Sequence, residues 1–422
     1  MKKYLLLAFV CGACGGAFAQ NKPAVEAAVP CTDDADADRL PGHYYDHTQP
    51  KYPISLGSYP AADKAAMTKQ LIALEKLEEA SRKDFQLAGC VARSHFSTLS
   101  KGFFGNYFHA SYGYQLSLYQ NVCHVREHVV KTVGEYRSVL RVDVNPSMSD
   151  RSFYSRSGDF YLSDKSVRYD IPADATYDKL NSGWLATHAG SQITLFVSQD
   201  QLGGNKENFD KINTGTGYTE DGRTSNDPKS YQLLTRVWYV TRPDKPLFLP
   251  ITRKAYLEAL LEFYEIEKVN FAQVMAWKIR DDSRSNSPEA RKRLAIFEVD
   301  KEAYRKIYED KKEKVSRLLS SQPAEWLQKQ AVVAPVRDLR PNDFNKPANG
   351  LLDFERFYDG EAKNTPLYQF NPEYFSLNAQ QPVKPVFMRV QLRYEPTRGF
   401  SERFFENFLK NYDFGGLREM LK

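Results

Sequence analysis

The sequence predicts an α+β protein in which an antiparallel β-rich domain precedes a long α-helical hairpin and a small C-terminal α+β segment. Three observations carry the prediction. Short runs that alternate apolar and polar residues dominate the middle of the chain, two helix-type segments of about 30 residues follow Pro250, and a strand and a helix close the chain. The predicted divisions are a signal peptide at 1–19, a flexible tether at 20–60, the β-rich domain at 61–250, the hairpin at 251–331 and the C-terminal segment at 332–422.

The N-terminus "MKKYLLLAFVCGACGGAFAQ" has the three parts of a secretory signal. Lys2 and Lys3 form the positive region, residues 5–10 form the apolar core, and residues 17–19 form a small-x-small cleavage site. We therefore expect cleavage after Ala19 and export to the periplasm or the medium. The apolar core is too short to span a bilayer, and no other run is apolar enough, so no transmembrane span is expected.

Loss of the signal peptide changes the charge. Lys2 and Lys3 are the charged residues of positions 1–19, so the formal net charge falls from +5 by two, to +3. A mature chain this close to neutrality gives no reason to expect nucleic acid as a partner.

Three of the five cysteines remain after cleavage, Cys31, Cys90 and Cys123. They allow at most one intramolecular disulfide, in a compartment that permits it. The sequence leaves three pairings open. We favour Cys90 with Cys123, because both lie in segments that are predicted to fold.

The segment 20–60 is rich in Asp, Pro and Gly and is predicted to be a solvated tether. Asp34, Asp36 and Asp38 begin a D-x-D-x-D pattern of the kind found in calcium loops. The position that requires glycine is Arg39, and the twelfth position is Tyr45 rather than Glu, so the calcium pattern is not met.

The β-rich domain begins with a helix predicted at 61–87, on the spacing of Met67, Leu71 and Leu74. Strand-type alternation then predicts a three-stranded meander at 114–120, 122–133 and 136–144, with Gly134-Glu135 as a turn. A long loop of undetermined role is predicted at 201–230.

The hairpin is predicted from its capping residues. Thr252 is an expected N-cap, and Ser287 followed by Pro288 opens the second helix. Ser321 is expected to cap a short helix around Trp326. Beyond it, one strand is predicted at 386–394.

The stretch "CHVREHVV" contains H-x-x-E-H, the pattern of inverted zinc proteases. On a helix, His124 and His128 would bind one zinc ion and Glu127 would polarise its water. The surrounding valines favour a strand, on which the two histidines lie too far apart to share an ion. The favoured interpretation is a strand with ordinary histidines and no cofactor, and the alternative is a zinc-dependent hydrolase.

Other catalytic signatures do not occur in the sequence. It has no G-x-S-x-G elbow, no phosphate loop and no dinucleotide fingerprint. Tyr and Phe each occur 26 times, which is compatible with sugar-binding platforms but is better explained by a large core.

The signal ending "AFAQ" and the block "WYVTRPDKPLFLPITRKAYLEALLEFYE" resemble exported proteins of Bacteroidota that carry no assigned activity. The resemblance covers about thirty residues around 238–265 and implies an exported location, with no catalytic residues to carry over. Together with the missing catalytic signatures, it favours a non-catalytic envelope protein that binds another envelope protein or a glycan.

Overall fold

The structure is a computed structural model, and it describes residues 29–46, 59–83, 85–98, 108, 110–146, 158–160, 162–164, 167, 169–171, 196–223, 232–333 and 365–421. The predicted signal peptide lies outside these residues. Within them the chain is an α+β protein, so the predicted fold class is confirmed.

The described strands, in chain order, are β1 (His43–Asp46), β2 (Cys90–Thr98), β3 (Tyr112–His124), β4 (Val129–Val144), β5 (Gly158–Phe160), β6 (Tyr169–Ile171), β7 (Phe196–Ser198), β8 (Tyr218–Arg223), β9 (Leu233–Val240), β10 (Phe248–Pro250), β11 (Val332–Val333), β12 (Thr365–Phe370) and β13 (Met388–Tyr394). The described helices are α1 (Asp34–Arg39), α2 (Ala61–Ser81), α3 (Gln199–Leu202), α4 (Lys206–Asn213), α5 (Arg253–Asp282), α6 (Pro288–Ser321), α7 (Ala324–Gln328), α8 (Glu373–Gln380), α9 (Gly399–Asn411) and α10 (Phe414–Glu419). The helix α2 thus ends at Ser81, six residues before its predicted end. The segment predicted as a long loop at 201–230 contains α4 and β8.

The main sheet has seven strands in the order β1-β2-β3-β4-β13-β9-β8. β1 runs parallel to β2, and the other neighbours are antiparallel. The C-terminal strand β13 lies between β4 and β9, in the interior of the sheet. The predicted C-terminal α+β segment at 332–422 therefore contributes its strand β13 to the main sheet.

One face of the main sheet is covered by α2, α9 and α10. Apolar side chains of the sheet, among them Tyr114, Val142 and Val390, pack there against Leu74 and Phe404 of the helices. Residues that follow one another along a strand point to opposite faces, so this packing fixes which residues form the other face.

The segment 29–46 is folded against the main sheet, so the predicted tether is wrong for this part of 20–60. Asp33 caps α1, with its Oδ1 accepting hydrogen bonds from the backbone nitrogens of Ala35 at 2.9 Å and Asp36 at 3.1 Å. Asp38 accepts a hydrogen bond from Arg403 of α9 at 2.8 Å. The aspartates that suggest a solvated segment are thus a helix cap and an ion-pair partner.

The predicted three-stranded meander is wrong in its turns. β3 and β4 form one long hairpin whose turn is at 125–128, and Gly134 lies within β4. The pairing of β3 with β4 shifts in register near Leu118 and Tyr119, opposite the part of β4 that contains Gly134. A β-bulge accommodates extra residues within a strand, so the glycine does not need to form a turn.

The long helical hairpin of α5 and α6 is confirmed. Thr252 Oγ1 accepts from the backbone nitrogen of Ala255 at 3.1 Å, and Ser287 Oγ accepts from that of Ala290 at 3.1 Å. The rings of Phe271 and Tyr304 stack at 3.8 Å between the two helices. The predicted cap at Ser321 is wrong, because that residue ends α6, and the residue before α7 is Pro323, whose side chain makes no capping bond.

A second sheet joins the hairpin to the rest of the protein. It has the order β10-β12-β11, and β7 also pairs with β12. Its apolar residues contribute to two cores, with Leu367 packing in the hairpin core and Phe248 and Phe370 packing against Tyr239 of the main sheet. Over the described residues, no helix combines the length and apolar character that crossing a membrane requires.

Candidate functional site

The H-x-x-E-H residues lie at the end of the β3–β4 hairpin. His124 is the last residue of β3, and Glu127 and His128 are in the turn, where His128 has a left-handed φ of 54°. The arrangement is neither the helix that a zinc protease needs nor the continuous strand that the sequence favours. Glu127 lies 3.2 Å from His124 Nδ1 and 2.5 Å from Lys131 Nζ.

The Glu127 carboxylate is held as an ordinary surface anion. The hydrogen bond from Lys131, followed by the nearby His124, lowers the pKa of Glu127. A general base that works near neutral pH needs the opposite shift. Throughout the part of the chain that the structure describes, no three His, Cys, Asp or Glu side chains are grouped so that they could hold a metal.

The disulfide joins Cys31 to Cys123, so the preferred pairing of Cys90 with Cys123 is wrong. Cys90 lies on β2, is fully buried in the core under the helices and carries a free thiol. Burial raises the pKa of Cys90 to about 12, which keeps it a thiol and a poor nucleophile. The prediction failed because Cys31 was assigned to a tether that is in fact folded.

The face of the main sheet opposite the helices is apolar and buried at β9, where Val237 and Tyr239 pack in a core, and it is mostly polar across β2, β3, β4 and β13. Four of its residues face one another across β2, β3, β4 and β13 in a single row: His95, Gln115, Arg141 and Gln391. The neighbouring row contains Arg93, Ser117, Val139 and Arg393. We use the term polar face for the residues Arg93, His95, Gln115, Ser117, Tyr119, Tyr136, Arg141, Asp143, Arg389, Gln391 and Arg393.

The polar face carries more positive than negative charge. Its charged residues, with histidine neutral, are four arginines and Asp143. Asp143 is buried and accepts hydrogen bonds from Arg389 Nη2 at 3.0 Å and Arg141 Nη2 at 3.4 Å. Gly113 makes room for this carboxylate, because a Cβ atom at Gly113 would lie 2.8 Å from Asp143 Oδ1. One aspartate thus offsets part of the charge of two arginines.

The other two arginines of the polar face contact aromatic rings. Arg93 Cζ lies 4.7 Å from the centroid of the Tyr119 ring, and Arg393 Cζ lies 5.0 Å from that of Tyr136. The two tyrosine rings meet edge to face, with centroids 5.9 Å apart. These four residues, which we call the arginine–tyrosine row, run across β2, β3, β4 and β13.

Neither guanidinium of this row has a carboxylate partner among the described residues. Arg393 Nε is buried and donates no hydrogen bond there. By contrast, Arg305 on α6 is bound by both Glu302 and Glu309, and Arg403 by Asp38. Contact with the tyrosine rings holds the two guanidinium groups in place and leaves their donors, apart from the buried Arg393 Nε, available to an anion.

This arrangement can bind an anion with polar groups around it. A guanidinium offers several donors in a planar fork that matches the two oxygens of a carboxylate. Gln115 and Gln391 add amide groups that can both donate and accept hydrogen bonds. Gln115 Nε2 donates one such bond within the protein, to Ser117 Oγ at 2.8 Å.

The polar face was not predicted from the sequence. The predicted strand at 386–394 does alternate apolar residues with Arg389, Gln391 and Arg393, which indicates that one face of this strand is polar. The partners of that strand could not be read from local sequence. Comparisons of the chain with protein-family models, curated proteins and solved structures find no match.

Proposed function

We propose that this chain is an exported, non-catalytic binding protein that holds an anionic partner on the polar face of the main sheet. The observation that carries the proposal is the pair Arg93 and Arg393, two stacked guanidinium groups without a carboxylate partner in the described part of the protein. Arg141 and Arg389 add positive charge beside them. Such a cluster raises the local concentration of anions and gives directional bonds once they arrive.

The periplasmic or secreted location is part of the proposal. It is supported by the signal-type N-terminus in the sequence and by the disulfide between Cys31 and Cys123, since disulfides persist in oxidising compartments.

The exposed surface of the helical hairpin is a weaker candidate for binding. Its charges are matched along α6, where Arg305 pairs with Glu302 and Glu309, and Arg317 pairs with Glu313. Most of its cations are thus already neutralised by neighbouring carboxylates. On the polar face, Arg93 and Arg393 have no such carboxylate among the described residues.

The experiment compares anionic with neutral polymers. The mature protein is titrated at low salt with polygalacturonate, poly-L-glutamate and uncharged dextran, and binding is followed by calorimetry. We expect binding to at least one anionic polymer and not to dextran, with an affinity that falls as salt rises. The double variant Arg93→Gln/Arg393→Gln should bind about tenfold more weakly or worse, because it loses two charge-assisted contacts.

The matched control is Arg291→Gln/Lys292→Gln. It removes the same charge from two exposed positions on α6. The control should bind as the wild type does. Equal weakening by the two double variants would mean that net charge alone drives binding, and the proposal would then be wrong.

A further inference from the structure

The arginine–tyrosine row distinguishes between possible anionic partners. Tyr136 is 38% exposed although it lies on a strand of the main sheet, and it meets Tyr119 edge to face. The exposed ring of Tyr136 can pack against the apolar face of a sugar ring, while flanking polar groups bind the substituents.

The two arginines lie at opposite ends of this aromatic pair. Arg93 is on β2 and Arg393 is on β13, which are three strand spacings apart, or about 14 Å. A ligand that crosses the strands therefore meets a cation, two rings and a second cation in turn. Extended polymers that have a rigid ring and a carboxylate in each unit match this order of groups along the arginine–tyrosine row.

The adjoining row offers neutral hydrogen-bonding groups rather than further charge. Gln115 and Gln391 lie on β3 and β13, on either side of Arg141. Amide side chains both donate and accept, which suits hydroxyl groups, since these do the same.

The position of the arginine–tyrosine row within the sheet disfavours a peptide as the ligand. One common way in which an extended peptide binds is to add a strand to an open sheet edge. At Tyr119 and Arg393 the strands β3 and β13 are paired on both sides, so their backbone groups are already used, whereas Tyr136 lies beyond the part of β4 that pairs with β13.

From these observations we infer that the anionic partner is an acidic polysaccharide. One carboxylated sugar ring packs against the exposed ring of Tyr136, and Arg93 and Arg393 bind carboxylates on either side. The inference rests on the proposed function and assigns to it a ligand class and a subsite.

The test uses Tyr136→Ala and the conservative variant Tyr136→Phe, with polygalacturonate, poly-L-glutamate and dextran as probes. Each variant is first compared with the wild type by thermal unfolding. We expect Tyr136→Phe to keep binding to polygalacturonate, because the ring remains, and Tyr136→Ala to lose about tenfold in affinity. Poly-L-glutamate binding should be weaker than polygalacturonate binding and insensitive to both variants.

The outcomes separate the two proposals. If no anionic polymer binds, both the proposed function and the inference are wrong. If poly-L-glutamate binds better than polygalacturonate, and Arg93→Gln/Arg393→Gln abolishes that binding, the function holds and the polysaccharide inference is overturned. Polygalacturonate binding that Tyr136→Ala leaves unchanged overturns the sugar subsite.

Discussion

Replacing Arg82 by alanine is expected to lower the free energy of unfolding by about 3–5 kcal/mol, because it leaves a buried carboxylate without its cation. Glu78 on α2 is 1% exposed. Arg82 Nε donates to Glu78 Oε1 at 2.9 Å, Arg82 Nη2 donates to Oε2, and Tyr114 Oη donates to Oε2 at 2.9 Å. Arg82 also stacks over the ring of Tyr44. Urea unfolding followed by circular dichroism measures the loss.

The pH dependence of this loss follows from burial. Burial raises the pKa of Glu78, with Arg82 and Tyr114 acting in the opposite direction. Without Arg82 the folded state should hold the Glu78 proton to higher pH than the unfolded chain does. Stability is then lost as pH rises above the ordinary glutamate range, so Arg82→Ala should cost less at pH 5 than at pH 8.

The control is the double variant Glu78→Gln/Arg82→Met. It removes both charges and leaves an amide oxygen that can accept from Tyr114, so it should recover much of the stability that Arg82→Ala loses. A double variant as unstable as the single one would show that packing of the Arg82 side chain over Tyr44, rather than charge, causes the loss.

Removing the disulfide is the second change with a large expected effect. Cys31 and Cys123 are 92 positions apart, and opening a loop of this length is expected to lower the free energy of unfolding by about 4–5 kcal/mol. The double variant Cys31→Ser/Cys123→Ser should show this loss in urea unfolding. Wild-type protein should shift similarly when a reductant is added, while the double variant should not respond.

Peptide mapping under non-reducing conditions provides the independent check. Digestion should release one linked pair of peptides containing Cys31 and Cys123, and a peptide with the free thiol of Cys90. A linked pair containing Cys90 would contradict the described arrangement of the N-terminal segment and β3.

Local features were predictable where local chemistry decides the structure. Thr252 and Ser287 signal the starts of α5 and α6, since a capping side chain acts within three residues of its own position. The alternation in 388–394 likewise predicts a strand. Capping and alternation depend on neighbours in sequence, so both are visible without a structure.

Features that depend on distant partners were not predictable. β13 pairs with β4 and β9, from which it is separated by more than a hundred residues, and no local pattern specifies that pairing. The pairing of Cys31 with Cys123 is of the same kind. The polar face was missed for this reason too, because Arg93 and Arg393 are 300 positions apart in the sequence and meet the same aromatic pair only after the sheet forms.

The central claim is that the polar face of the main sheet is the binding surface, and hydroxyl-radical footprinting of the mature protein with and without polygalacturonate tests it most directly. Tyr136 is 38% exposed, while Tyr218, on the opposite side of the main sheet, is 43% exposed and serves as an internal control. We predict that polygalacturonate protects Tyr136 from oxidation and leaves Tyr218 unchanged. Oxidation of Tyr136 that stays constant under saturating polymer, or falls no more than that of Tyr218, would contradict the claim.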